Sequence, residues 1–436
     1  MSEAARIAPI GSPAPLHYRF RSSIGEHVLV VPYSRIFDVV ADECESAPTS
    51  IDYELLASAM GDTLPGEAPL DVVAEPAPQS ISLNVSSSCN LTCSYCYAAR
   101  GGFNGAQTTP MDWPIARAAV DRLIEIAHGA APITIGFLGG EPFANRELIH
   151  RTVNYSVELA RARGLDIRFS VTTNGTLLTT ADLELFRAHP FAVTVSLDGV
   201  QAVHDRHRPL HRDGSGSWRT AIDRMSSLLE RPGNAKIAAR ATVVRGDMDI
   251  ANWIETLSAA GFPEVGVAPL RAGPPGSGAL EDVDWPRYMT ALIDASKLEL
   301  QRIRQGLPIR LTNLAVALKQ LHRGASSPYP CGAGGGYFSV SARGRWYACH
   351  RAIGHADFEL GSNDGLDVAR RRDFLARRHV HAQTDCGQCW ARYLCSGGCH
   401  QEADARSAAS CDFIREWLAF CLIAYCELGA LGDARP

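Results

Sequence analysis

Long apolar runs are missing from this 436-residue sequence. No stretch approaches the 18 or more uninterrupted apolar residues that a membrane helix needs, so no membrane partner is expected. The opening residues, MSEAARIAPIGSPAP, hold no apolar core of signal-peptide type. The expected location is therefore cytoplasmic. A basic excess is missing too: Lys plus Arg total 42 against 47 for Asp plus Glu, a formal charge of −5. That balance argues against nucleic acid as a partner. No internal repeat is evident, which sets repeat architectures aside. With 46% apolar and 20% charged residues, the chain has the composition of a folded globular protein. At about 150 residues per domain, its length suits two to three domains.

What the sequence does hold is 13 cysteines. An odd count without a secretory signal fits a disulfide framework poorly and points to metal binding or chemistry. The cysteines are grouped. Cys89, Cys93 and Cys96 form one set; Cys331, Cys349, Cys386, Cys389, Cys395, Cys399 and Cys411 form another; Cys44, Cys421 and Cys426 are left over.

Between the two sets, short β-branched runs alternate with helical stretches. ISLNVS (81–86), ITIGFLGG (133–140), DIRFSVTTNG (166–175), FAVTVSLDG (191–199), KIAARATVV (236–244) and EVGVAPL (264–270) read as strands. Residues 111–129 and 147–164 read as amphipathic helices, the second closing on Gly164. Repeated βα units imply an α/β fold whose parallel sheet is open or curled into a partial (β/α)6 barrel. Chemistry in such folds belongs at the C-terminal strand ends. The first cysteine set, GGEP, TTNG and SLDG follow the first four strands in turn.

The N-terminal stretch differs. LHYRF and EHVLVVPY read as paired strands around SSIG, followed by helix-prone residues 34–45 and 51–61. Residues 66–80, rich in Pro, read as a linker. The expected division is a small α+β module with linker over 1–78, a barrel over 79–320 and a loop-rich cysteine domain over 321–436. In the last of these, positions 414, 417, 418, 421 and 425 share one helical face, so Cys421, and by the same reasoning Cys426 and Cys44, read as small core residues.

CNLTCSYC has the spacing C-x3-C-x2-C. Three thiolates on a short loop are soft ligands for an iron–sulfur cluster, or for zinc with one distant ligand; three plain core cysteines are the simplest alternative. With GGEP one βα unit later, the chain resembles the radical S-adenosylmethionine superfamily. The resemblance implies that Cys89, Cys93 and Cys96 ligate a [4Fe–4S] cluster whose open iron binds S-adenosylmethionine. Cleavage of that cofactor yields methionine and a hydrogen-abstracting deoxyadenosyl radical. Tyr95 would lie against the adenine, and Gly139, Gly140, Glu141 and Pro142 would receive the methionine ammonium. Thr172, Thr173, Asn174, Ser196 and Asp198 could face the cofactor or merely cap turns. By the same resemblance Arg208, in HDRHRP, would pair with the methionine carboxylate, as a guanidinium fork suits two oxygens.

The second set reads C-x12-G-x4-C (Cys331, Gly344, Cys349), then C-x2-C-x5-C-x3-C and, after an eleven-residue gap, Cys411. Paired C-x2-C knuckles alone would suit a zinc ribbon. The whole pattern resembles the SPASM extension of peptide-acting radical enzymes, which holds two auxiliary [4Fe–4S] clusters. That implies Cys386, Cys389, Cys395 and Cys411 for one cluster, and Cys331, Cys349 and Cys399 for the other, three clusters in all. The expected fourth cysteine near Cys331 is absent from GAGGGYF. The second auxiliary cluster then has an open iron, or a ligand such as His350 or Cys44.

The stretches 347–354 and 389–400 are similar to maturases that join cysteine sulfur to carbon, including those of cysteine-rich peptides and of a quinohemoprotein amine dehydrogenase subunit. The implied substrate is a ribosomally made peptide or small protein subunit, and the implied reductant is flavodoxin or ferredoxin. Carbon–carbon or carbon–oxygen crosslinking is a variant of the same chemistry. Anaerobic sulfatase-maturating enzymes are a rival, although their catalytic Asp falls where this chain has His350. A winged-helix leader-binding element is one reading of the N-terminal module, and a simple cap on the barrel is the other. A non-catalytic zinc-binding interaction protein is the competing class.

Overall fold

The computed structural model describes residues 14–39, 76–127, 131–324, 326–403 and 406–430. Three short strands come first: β1 (His17–Ser22), β2 (Gly25–Val30) and β3 (Arg35–Val39), an antiparallel sheet in the order β1-β2-β3. The third strand corrects the helix expected from residue 34. Ser34 adopts a left-handed conformation (φ 49°) after a one-turn 3-10 helix, so Arg35–Val39 folds back along β2, residue against residue. Cross-strand pairing outweighs local helix preference here. The helix expected over 51–61, most of the linker, and Cys44 lie outside the described residues.

The central sheet has ten strands. β4 (Ser80–Ser86), β5 (Ile133–Gly139), β6 (Ile167–Thr173), β7 (Phe191–Ser196), β8 (Lys236–Val243) and β9 (Glu264–Pro269) run parallel and in chain order, within two residues of the expected strands at their starts. Beside β4 the sheet continues into β10 (Tyr337–Val340), which is parallel to it, and then into β11 (Arg345–Tyr347), β12 (Glu359–Ser362) and β13 (Gly365–Leu366). The segment after residue 320 thus extends the barrel's own sheet. A single cavity is lined from β4 through β9 and by Tyr337, which only a curled sheet permits.

The crossover helices follow their sequence signals. α1 (Trp113–Ile126) starts on Pro114 and buries Ala116, Ala119, Val120, Leu123 and Ile124 against the sheet. α2 (Arg146–Arg163) ends on Gly164 at φ 65°, a left-handed cap that glycine adopts without steric cost. Thr179 and Asp182 form a capping box at the start of α3 (Thr180–Ala188), so the cap there is Thr179 rather than Thr172 or Asn174.

α4 (Gln201–His207), α5 (Trp218–Glu230), α6 (Ile250–Ala259), α7 (Trp285–Arg304), α8 (Thr312–Arg323), α9 (Val368–Arg378) and α10 (Ala408–Gly429) complete the longer helices. α10 packs on α7, α8 and β1. It is buried on more than the one face expected, at Phe413, Leu418, Cys421, Leu422, Ala424 and Leu428. The N-terminal sheet covers the side that a barrel-only fold would leave in water. Tyr18 stacks on Trp390 at 3.9 Å, and the Ser23 hydroxyl donates to Glu427 at 2.7 Å. Cys421 is a core residue as expected; Cys426 is only half-buried, near Asp38 and Glu427. Among the described residues no helix is long and apolar enough to cross a membrane.

Candidate active site

Where β4 ends, the chain turns into the Cys89–Cys96 loop. The loop is pinned to the segment after α4: Thr92 N donates to Pro209 O, Ser94 N to His207 O, and His211 N to Asn90 O. The sulfurs receive backbone donors, Leu91 N on Cys89 at 3.4 Å and Arg100 N on Cys96 at 3.3 Å. Burial pushes the Cys89 thiol up to about 12 and that of Cys93 to about 11, and the neighbouring sulfurs add to the rise. As thiolates Cys89 and Cys93 are costly here, and a cationic partner would offset that cost.

The GGEP turn lies directly against this loop. A Cβ on Gly140 would sit 2.2 Å from Arg100 O and 2.3 Å from Ser88 O; one on Gly139, which has φ 146°, would sit 2.5 Å from Ser86 O. Only glycine permits that approach. Glu141 is fully buried and accepts from Thr173 Oγ1 (2.7 Å), Asn174 N (2.8 Å) and Phe143 N (3.2 Å). Desolvation raises its carboxyl to about 6 against these hydrogen bonds. Pro142 begins the 3-10 turn that Glu141 caps. Asn174 turns its side chain back to the loop, donating to Asn90 at 3.0 Å and lying 3.8 Å from Cys89 Sγ. Thr172 and Ser196 line the cavity itself.

Asp198 does not reach the cavity. It is wholly buried, accepting from Arg208 Nε (2.9 Å) and Nη2 (3.3 Å), from Thr242 N (2.8 Å) and from the Tyr95 hydroxyl. Arg208 is therefore already paired; it lies over the Tyr95 ring, with Nη1 4.0 Å from Cys93 Sγ, and lines the cavity beside it. His204 supports the same strand end: its Nδ1 accepts from Asp198 N, and its Nε2 bonds Ser217 Oγ. Burial lowers its pKa to about 4, so it stays neutral. Arg206 and His207 clamp Asp247 and do not enter the site.

The C-terminal cysteines fall into two electrostatic neighbourhoods. Cys395 is raised to about 12 by burial and then by Cys389, Cys386 and Cys411; Cys386 likewise feels Cys411 and Cys389. Cys349 is raised to about 12 by burial and by Cys399 and Cys331. These are the two groups that the resemblance implied. Arginines face both: Arg406 Nη1 lies 3.1 Å from Cys386 Sγ, and Arg351 Nη1 lies 4.0 Å from Cys399 Sγ. Tyr97 feels both Cys96 and Cys349, and so lies between the first set and the second. All twelve described cysteines are free thiols.

One cavity of about 730 Å³ joins these features. Its wall runs from Cys89, Cys93 and Cys96 past Glu141, Ser196 and Arg208 to Tyr337, His350, Arg351 and Glu402.

Residues 83–263 match the radical SAM superfamily. The chain carries a radical SAM domain. A serine-type anaerobic sulfatase-maturating enzyme of Klebsiella aerogenes is 26% identical over 334 residues, 73% of this chain and 78% of the relative. The structure of native anSMEcpe with bound AdoMet shares the fold, with TM-score 0.67 at 18% identity, over 81% of this chain and 99% of that one. Streptococcus suis SuiB bound to precursor peptide SuiA does so at TM-score 0.51 and 13% identity, over 85% and 82%.

A radical SAM enzyme uses S-adenosylmethionine and a [4Fe–4S] cluster, and the donor set here suits both. The buried, backbone-supported thiols fit cluster ligands. The glycine turn leaves room beside them that any Cβ would fill. Several residues of the radical SAM cavity escaped the sequence reading. Tyr337 donates and accepts among Ser82 Oγ (2.7 Å) and His350 Nδ1 (3.0 Å). Glu402 bridges Arg351 (2.6 Å) and Arg271 (3.4 Å). Nothing in local spacing marks either cluster of contacts. Arg240 did leave a signal: in KIAARATVV it alternates against the buried Ile237, Ala239, Ala241 and Val243.

Proposed function

We propose that this radical SAM enzyme is a maturase that links a carbon of a ribosomally made peptide or small protein subunit to a cysteine sulfur of the same chain. The observation that carries the reading is the shared cavity: Cys89, Cys93 and Cys96 line it together with His350 and Arg351, the two residues that follow Cys349, and it is large enough for a peptide segment. S-adenosylmethionine on a reduced [4Fe–4S] cluster supplies the hydrogen-abstracting radical. In this reading Cys89, Cys93 and Cys96 hold that cluster. Gly139, Gly140, Glu141, Pro142, Thr172, Asn174, Ser196, Arg208 and Tyr95 hold the cofactor, and Asp198 orients Arg208 and Tyr95 from behind. Cys386, Cys389, Cys395 and Cys411 hold one auxiliary [4Fe–4S] cluster; Cys331, Cys349 and Cys399 hold the other, a thiolate short.

The balance is simple. The carbon gives up a hydrogen atom and the thiol a proton, a C–S bond forms, and one electron is left over, for which a [4Fe–4S] cluster held by Cys331, Cys349 and Cys399 would be the acceptor. Flavodoxin or ferredoxin is the reductant, and the β1–β3 sheet is where a leader peptide would add a strand. Sulfatase maturation, oxidising a Ser or Cys to formylglycine, is the second reading, favoured by the Klebsiella relative. A mass change alone does not separate the two. The anaerobically purified enzyme is to be incubated with S-adenosylmethionine, reductant and synthetic peptides that each hold a cysteine and a serine. A product two hydrogens lighter, with one fewer iodoacetamide-reactive thiol and no hydrazide adduct, supports the thioether. A hydrazide-reactive product refutes it in favour of formylglycine.

A further inference from the structure

Arg240 is the one cavity-lining guanidinium for which, among the described residues, no carboxylate serves as partner. It stands on β8 level with Ser196 of β7 and Gly266 of β9, and it lines the cavity with Thr242. Its side chain is open to the cavity rather than sealed in protein, and the ionisable group that acts on it is the hydroxyl of Tyr288, with no acid in reach. The carboxylates nearby are already engaged. Asp198 is taken by Arg208, Glu402 by Arg351 and Arg271, and Glu141 by Thr173 and two backbone amides.

Room has been left for this side chain. A Cβ on Gly266 would come within 3.2 Å of Arg240 Nη1, so the bare backbone of β9 is what accommodates the guanidinium. Tyr288 feels both Arg271 and Arg240, which places two guanidiniums at one end of the cavity. Burial raises the Tyr288 hydroxyl, so it remains a neutral donor and supplies no countercharge. A guanidinium that lines a cavity and holds no carboxylate can take an anionic ligand without breaking an existing ion pair. A planar fork of donors fits two carboxylate oxygens better than any other common anion of a peptide.

We propose that Arg240, flanked by Tyr288 and Arg271, is a subsite for a carboxylate of the peptide substrate, so that the modified residue lies next to an Asp, a Glu or the chain's C-terminus. This rests on the peptide-maturase reading for the identity of the ligand; the anion subsite itself does not.

The test uses the full chain, reconstituted without oxygen and saturated with S-adenosylmethionine. Three probes are titrated by isothermal calorimetry: N-acetyl-aspartate N-methylamide, N-acetyl-alanine and N-acetyl-asparagine N-methylamide. One of the two carboxylate probes should bind about tenfold or more tighter than the asparagine probe. Which one does so tells a side-chain from a C-terminal carboxylate. Arg240→Gln should erase the preference, and Arg240→Lys should keep part of it. Because no ion pair is broken, Arg240→Gln should melt no lower than the parent; if it does unfold, the Lys variant carries the comparison. Equal binding of all three probes by the parent enzyme overturns the proposal. So does an Arg240→Gln variant that retains the preference, or one that loses affinity for S-adenosylmethionine to the same degree. Carboxylate binding without modification of any peptide would sink the maturase reading and leave the subsite standing.

Discussion

Replacing Asp198 by Asn tests the centre of the site. The change preserves volume and removes one charge from a fully buried position. It leaves the Arg208 guanidinium, itself mostly buried, without its anion, and it turns an amide NH2 toward donors on Arg208, Thr242 or Tyr95. Breaking a buried pair from one side costs about 3–5 kcal/mol, because the surviving charge stays desolvated. Removing both partners costs less, since no lone charge remains. Asp198→Asn should therefore lose about 3–5 kcal/mol in urea unfolding, and the double variant with Arg208→Gln should recover part of that loss.

The pH dependence follows from the same carboxyl. Burial alone would raise it, but Arg208 and the hydrogen bonds from Arg208, Thr242 and Tyr95 outweigh burial and hold it below its usual 3.8. A depressed carboxyl stabilises the fold above its unfolded value and loses that contribution as pH falls through the folded one. The gap between parent and variant should thus be full at pH 7 and close only below about pH 4. A single variant within about 1 kcal/mol of the parent, or a double variant no better than the single, would refute the argument.

The GGEP turn gives a second prediction. Gly140→Ala drives a Cβ into two backbone carbonyls that cannot yield, so it should cost about 1–3 kcal/mol and about 100-fold in deoxyadenosine formation. Gly336→Ala, where a Cβ meets nothing within 4 Å, should change stability by no more than about 0.5 kcal/mol. Glu141 must be ionised to receive an ammonium, and its carboxyl is raised to about 6. Affinity for S-adenosylmethionine should hold above that pH and weaken about tenfold per unit below it. A flat binding profile from pH 5 to 8 would place the ammonium elsewhere. Anaerobically purified protein should carry about twelve irons per chain, if each of three thiol groups holds four. Serine at Cys89, Cys93 and Cys96 together, or at Cys386, Cys389 and Cys395 together, should each remove about four. Cys421→Ser, wholly buried in α10, should lower stability and leave iron unchanged.

The parts of this molecule legible in sequence are those set by local chemistry. Six parallel strands were marked by β-branched runs, and Gly164 by its place after a helical period. The helix expected from residue 34 failed because β3 is decided by its partner β2. Asp198 was expected at the cofactor because its motif lies at a strand end; only the tertiary contacts show it turned inward to fix Arg208 and Tyr95. Arg240 was visible only as a charge alternating with apolar residues in KIAARATVV. An alternating charge on a strand ordinarily faces water, and it faces a cavity here because the sheet curls.

The same curl explains why the first cysteine set and the neighbours of Cys349 line one cavity although some 235 residues part Cys96 from Cys331. β10 pairs with β4 in parallel, Tyr337 to Ser80 through Val340 to Leu83. That ladder lays β10 beside the strand leading to Cys89, and it holds Tyr337, which bonds His350 next to Cys349, against Ser82. The hydroxyls then interlock: Ser82 bonds both Tyr337 (2.7 Å) and Ser339 (3.0 Å), and Asn84 donates to Ser339 (2.7 Å). A sheet that ended at β4 would leave the second thiol group free to sit anywhere on the barrel's rim. Four residue pairs therefore fix where the segment bearing His350 and Arg351 meets the cavity. A Pro at Ser339, which would remove a ladder hydrogen bond from a strand buried on both sides, should uncouple peptide crosslinking from deoxyadenosine formation while the first cluster remains in place. Loss of both activities in equal measure would mean that the ladder only holds the barrel together.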